Sequence, residues 1–238
     1  MLAEGLIPRP MRMLRFATSL AAAAVFSLGL VTAAAHAQTS VPPNQVTNFK
    51  DTSMLKPPAG SKVAVLVWED LECPACSHAF PIVHAGVAHY HLPLVERDFP
   101  LQMHIWSKKA ALYARYMHDK ISPEFATEYR REVFASQFRI SSMDDLETFT
   151  RQYMQKAGKQ LPFVVDADGK LQKEIDADFH LGEQLGIMET PTIIVVTPKH
   201  WIQVKDVSQL YSAIDQANAM AAKEGPATAP THRSAAKK

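Results

Sequence analysis

Lys62-Val63-Ala64-Val65-Leu66-Val67-Trp68 runs through Glu69-Asp70-Leu71-Glu72 straight into Cys73-Pro74-Ala75-Cys76, and this join decides the fold. The run from Lys62 to Trp68 is short, apolar and β-branched, which suits a strand buried on both faces. Pro74 stands where the first turn of a helix tolerates proline, so a helix is predicted from Ala75 to about Tyr90, kinked near Pro81. At a strand-to-helix join the first sulfur lies beside unpaired backbone N–H groups and the positive end of the helix dipole. Both stabilise a thiolate. Cys73 is therefore read as an attacking nucleophile. Cys76, one helical turn along, is placed to resolve the mixed disulfide by exchange, and its thiol is expected to be the more buried and less reactive of the two.

These are the only two cysteines in 238 residues. A ring closed over two intervening residues removes little unfolded-state entropy, so an inert stabilising disulfide is the poorer account of the pair. Zinc is the other alternative. His78 and His84 follow the cysteines, but a closed structural site typically takes four ligands, and the sequence holds no second cysteine pair. His84, His89 and His91 are expected as exposed helix histidines. Dithiol chemistry calls for no metal and no organic cofactor.

Outward from the join, Leu92 to Phe99 reads as a second strand. From about His104 to Gly186 the pattern is helical. Ser122 caps a helix with Pro123 at its first position and Phe125, Tyr129 and Val133 along one face. Ser142 caps a second, striped by Leu146, Phe149, Tyr153 and Ala157 and stopped by Gly158. A third begins near Asp168, carries Leu171, Ile175, Phe179 and Leu185, and ends at Gly186. Helical spacing alone accounts for these stripes as core-facing.

Thr192 to Val196, a turn at Thr197-Pro198-Lys199, and Trp201 to Val204 predict an antiparallel hairpin, followed by a helix from Val207 to Ala222. The fold class is thus α/β, a mixed central sheet flanked by helices, in which a β-α-β unit and a β-β-α unit are joined by a helical insertion at about 104–186.

The ends read differently. Arg12 and Arg15, an apolar run from Ala17 to Val31, and Ala35-His36-Ala37 have the order of a secretory signal, predicted to be cut after Ala37. An uncut anchor is the competing reading, although the run is somewhat short for a bilayer span of about 20 residues. Residues 38–60, rich in Pro, Thr, Ser and Asn, form a lead-in segment, residues 61–222 the folded domain, and residues 223–238 a disordered tail. Export places the cysteines in an oxidising compartment. Lys plus Arg (25) and Asp plus Glu (24) nearly cancel and no basic stripe interleaves with aromatics, which argues against a nucleic-acid partner.

Thr190-Pro191 stands directly before the strand at Thr192. X-Pro bonds accept cis at modest cost. A trans bond in a turn is the commoner alternative, and only the company of the cysteine pair favours cis. A cis bond would turn the Thr190 backbone outward, to pair with an extended substrate segment.

Asp70-Leu71-Glu72-Cys73-Pro74-Ala75-Cys76, then Arg97-Asp98-Phe99-Pro100-Leu101 with His104, then Leu185-Gly186-Ile187-Met188-Glu189-Thr190-Pro191-Thr192, together resemble the landmarks of the DsbA-like thioredoxin family, over roughly Val63 to Ala222. The resemblance implies a thioredoxin fold with an inserted helical subdomain and a redox-active Cys73–Cys76 pair around the dipeptide Pro74-Ala75. It also implies that Pro191 is cis and faces the pair, with Thr190 beside it. Relatives act on reduced secreted proteins and are reoxidised by a quinone-linked membrane partner. The implied setting is periplasmic or otherwise exported, and the implied partners are reduced or misoxidised secreted proteins together with such a membrane partner.

Three departures qualify it. Many relatives carry an acidic residue six positions before the first cysteine, beneath the disulfide, where it shuttles the buried thiol's proton; Val67 stands there, leaving water or another group such as Glu69. The dipeptide lacks the histidine of strongly oxidising members. Glu69, Asp70 and Glu72 bring negative charge towards Cys73, which disfavours a thiolate, so Cys73 is expected to be less acidic than the DsbA extreme of about 3.5. The expected activity is that of a disulfide oxidase. An envelope reductase or isomerase and a non-catalytic peptide-binding chaperone are the alternatives. An isomerase usually adds an N-terminal dimerisation domain, for which residues 38–60 are too short.

Overall fold

The computed structural model describes residues 39–40 and 47–224, all within one compact unit of the chain. In chain order its elements are β1 (Thr39–Ser40), β2 (Ala64–Glu69), α1 (Pro74–Tyr90), β3 (Leu94–Asp98), α2 (Ser107–Lys120), α3 (Pro123–Ser136), α4 (Met143–Lys156), α5 (Lys170–Leu185), β4 (Thr192–Val196), β5 (His200–Val204) and α6 (Leu210–Lys223). Short 3-10 turns cover Gln137–Arg139 and Val207–Gln209. The signal reading at 1–37 and nearly all of the tail reading at 223–238 lie outside the described residues.

The strands lie in the order β1-β5-β4-β2-β3. Every residue of β2 and β4 is buried, as an apolar run without alternation requires. β2 pairs parallel to β3 and antiparallel to β4, and β4 antiparallel to β5. The antiparallel register sets Trp68, near the end of β2, opposite Thr192, the start of β4. The loop carrying the cysteines and the loop carrying Pro191 therefore lie at the same end of the two central strands. On one face Val65 and Val67 pack with Val83, Val87 and Ile214 from α1 and α6. On the other, Leu66 and Trp68 pack with Phe99, Leu185 and Trp201. The mixed sheet between helices, with α2 to α5 inserted between β3 and β4, is the predicted architecture.

Three local readings need correction. The stretch 104–186 is not helical throughout, because residues 157–169 carry no helix; Gly158 and Gly169 both adopt left-handed φ (+68°), and Pro162 lies between them. The lead-in is part of the fold rather than an approach to it. β1 adds an edge strand parallel to β5, Leu55 is fully buried, and the Phe49 ring sits 5.0 Å from that of Trp201. An open strand edge and an apolar sheet face both need cover, and this segment supplies it. Finally, His89 and His91 are exposed but His84 is half-buried, its Nε2 3.3 Å from Glu96 Oε1.

Candidate active site

Cys73 is the N-cap of α1, with extended backbone (φ −79°, ψ 120°), and Pro74 follows at the first helical position. No side-chain oxygen caps this helix, so its free N–H groups face the Cys73 sulfur instead. Both cysteines are thiols. Pro74 and Ala75 are exposed, Cys73 keeps 7% of its surface, and Cys76 keeps 1%. A reagent arriving from outside thus meets Cys73 before Cys76.

The two thiols are driven apart electrostatically. The Cys76 thiol donates to the Cys73 sulfur, and this outweighs burial; with help from Thr190 and the N–H groups of Cys76 and Ala75 it brings the Cys73 pKa down to about 5. Burial, in the first place, pushes the Cys76 thiol far up; its bond to Cys73 and the charges of Cys73 and Glu69 add to this, against a hydrogen bond from the Asp70 N–H at 3.4 Å.

The Thr190-Pro191 bond is cis. The Thr190 carbonyl oxygen lies 3.3 Å from Cys73 Sγ, so the structure brings together the two sites that the sequence places 117 residues apart. The Thr190 hydroxyl is buried with no partner besides the Cys73 sulfur, to which it donates when Cys73 is ionised. Thiolate absorbance is therefore expected to titrate with a midpoint near pH 5, while Cys76 stays protonated through neutral pH. Thr190→Val, which removes the donor and keeps the shape, is expected to move that midpoint upward; a midpoint left in place would show that the hydroxyl plays no part.

The three carboxylates before Cys73 are turned away from it. Glu69 accepts from Arg130 Nη1 at 3.1 Å. Asp70 accepts from the N–H groups of Glu72 and Leu101 and meets His104 Nδ1, each at 2.7 Å. Glu72 Oε2 accepts from the N–H groups of Trp106 (2.7 Å) and Ser107 (2.9 Å), capping α2, which has no side-chain cap of its own. Cys73 does stay above the extreme of about 3.5, but burial is the opposing cause, and the expected repulsion by these carboxylates is corrected.

Several neighbours of the site escaped the sequence reading. Gln137 Nε2 donates to the carbonyls of Leu71 (2.8 Å) and Cys73 (3.1 Å), pinning the cysteine loop to the inserted helices. Arg130 joins Glu69 to Asp98 Oδ1 (2.7 Å), and Arg115 donates to the other Asp98 oxygen, Oδ2. A charged side chain within the buried stripe Ala126, Arg130, Val133 was the available signal for this network. Behind Cys76, Val67 and Glu69 share a narrow enclosed space with His84, Leu94 and Pro191.

A cysteine pair opening a helix, against a cis-proline that opens the neighbouring strand of a mixed sheet, defines a thioredoxin-fold protein; the helices inserted between β3 and β4 make it DsbA-like. The thioredoxin family model matches residues 56–216, and the chain belongs to that family. No curated protein sequence matches it. Among solved structures it is similar to the thiol-disulfide exchange protein alpha-DsbA2 from Wolbachia pipientis, at 17% identity over 68% of this chain and 84% of that one, with a TM-score of 0.55. Pseudomonas aeruginosa DsbA2 is similar at 19% identity, over 68% and 91% of the two chains, with a TM-score of 0.52. A periplasmic thioredoxin-like protein from Salmonella enterica serovar Typhimurium is similar at 19% identity, over 68% and 87%, with a TM-score of 0.53.

Proposed function

We propose that this protein is a thiol:disulfide oxidoreductase of the cell envelope that works chiefly as an oxidase. Cys73 is its nucleophile, Cys76 its resolving thiol, Pro74-Ala75 the active-site dipeptide, and Thr190 with Pro191 the segment that aligns an extended substrate. The observation that carries this reading is the Cys73 sulfur at the uncapped start of α1, 3.3 Å from the Thr190 carbonyl oxygen at the cis-proline. A substrate thiolate attacks Cys73 of the Cys73–Cys76 disulfide, Cys76 leaves and takes up a proton, and a second substrate thiol displaces Cys73 from the mixed disulfide. The substrate leaves oxidised and the protein reduced.

Linkage supports the oxidising direction. A Cys73 pKa lowered from 9.0 to about 5 stabilises the dithiol form increasingly as pH rises above about 5, an advantage fully present above 9 and lost as pH falls through 5. The disulfide form has no thiolate and gains nothing. At neutral pH the balance therefore tilts towards reduced protein, which makes the disulfide an oxidant. The secretory pattern at 1–37 and the periplasmic thioredoxin-like relative support export. Substrates are then reduced or misoxidised secreted proteins, and a quinone-linked membrane partner restores the disulfide. Equilibration with glutathione tests the direction: the expected potential lies above the thioredoxin value of about −270 mV and short of the DsbA extreme of about −120 mV. A value at or below about −270 mV would reverse the assignment to a reductase.

A further inference from the structure

Each exchange requires Cys76 to gain or lose one proton, yet Cys76 is 1% exposed and covered in front by Cys73. A narrow enclosed space lies behind it. Of the residues lining the enclosed space at Cys76, the titratable ones besides Cys76 itself are Glu69 and His84. His84 also lines a cleft of about 450 Å³ between α1, β3, α2 and α3, where its Nε2 lies 3.3 Å from Glu96. Arg130 lines the same cleft and reaches Glu69 at 3.1 Å. None of Cys73, Pro74, Ala75 and Thr190 lines this cleft.

We infer that protons pass between Cys76 and bulk water by a side route, through Glu69 and then His84 with Glu96 into the cleft, so that a substrate chain covering Cys73 does not block them. This rests on the exchange function proposed above. In the oxidising direction the Cys76 thiolate expelled from the disulfide takes its proton from the Glu69 carboxyl, which is left as carboxylate and recharged through His84. When Cys76 attacks a mixed disulfide on Cys73, its proton passes to the Glu69 carboxylate, the Cys73–substrate S–S bond breaks, the Cys73–Cys76 bond forms, and the substrate leaves as thiolate. No electrons other than those of the two thiols are involved.

The charges facing Glu69 suit this task. Burial above all, then Glu96 and Asp98 from β3, push its carboxyl well above the usual carboxylate range, against Arg130 from α3. Cys73, Cys76 and His84 approach from α1, and Arg115 from α2 bears on Asp98. Arg130 cannot be the carrier, because a guanidinium keeps its proton. Imidazole, with a donor and an acceptor on one ring, can.

Loading Cys73 with thionitrobenzoate and following its release as Cys76 attacks isolates the step. Glu69→Gln keeps a carbonyl oxygen for Arg130 but cannot take a proton. It is expected to slow release about 100-fold at neutral pH and to make the rate rise in proportion to hydroxide from pH 5 to 9, with alkylation of Cys73 unchanged. His84→Gln is expected to slow the same step, with recovery on adding imidazole, and it carries the test should Glu69→Gln fail to fold. A wild-type pH profile in both variants overturns the route. Failure of the wild type itself to release thionitrobenzoate overturns the exchange function and the route with it.

Discussion

A Cys73→Ser variant is expected to lose dithiol oxidation and insulin reduction entirely while remaining folded. The loss follows from chemistry: a hydroxyl has no thiolate to offer near neutral pH, and Cys76, 1% exposed with its thiol pushed far up, cannot take over. The retained fold follows from position. Residue 73 is the N-cap of a helix without a side-chain cap, and serine is among the best N-caps, supplying an oxygen to the free N–H groups of the first turn. The variant should therefore melt at or above the wild-type temperature, helped by a cap worth about 0.5–2 kcal/mol, partly offset by the lost contact with Cys76. Assays of both activities alongside a thermal melt check this. Residual exchange in a folded Cys73→Ser protein would remove Cys73 from the mechanism, whereas retained binding of unfolded chains without exchange is the expected pattern for a catalyst that also holds its substrate.

The largest effect on stability is expected from Arg130→Met. Arg130 is 5% exposed and stands between two buried carboxyls, Glu69 (4%) and Asp98 (1%). Asp98 resists the effect of burial because Arg130 and Arg115 hold it ionised, well below the usual carboxylate range. Methionine fills much of the space and restores none of the charge. Breaking one side of a buried pair typically costs about 3–5 kcal/mol, because the remaining charge is left in a poor solvent. In a domain of this size that corresponds to a fall in Tm on the order of 10 °C. The pH dependence gives a second check. A carboxyl with a lowered folded pKa stabilises the protein above its unfolded pKa of about 3.9 and loses that contribution as pH falls through the folded value. Wild type should lose this stability on acidification, while the variant has less of it to lose, so the gap between them narrows below about pH 4. Melts at pH 7 and pH 3.5 that show equal gaps would mean that Arg130 acts through packing alone.

The same residues mark the boundary of what a linear reading reaches. The strand at Ala64–Glu69, the helix opening at Pro74, the Ser122 and Ser142 caps and the hairpin at Thr192–Val204 were legible, because each is set by neighbours a few positions away. The spacing of Cys73 and Cys76, with the helix start between them, likewise marked the candidate site. The orientation of the carboxylates was not legible. Glu69, Asp70 and Glu72 are consecutive or nearly so, and a reading by proximity along the chain assigned all three to Cys73. The fold sends each to a different partner, at Arg130, at Leu101 with His104, and at the start of α2.

Local chemistry, then, was settled by the sequence itself: a thiolate-stabilising helix start, a second thiol one turn deeper, and strands whose apolar runs demand cover on both faces. Tertiary structure alone decided what surrounds them. It set Thr190 against Cys73, placed Arg130 between Glu69 and Asp98, folded the lead-in onto β5 and opened a cleft at His84. The physical reason is that periodicity records which side of an element is buried, whereas the charge and hydrogen-bond partners met there come from distant parts of the chain and are chosen only when the layers close.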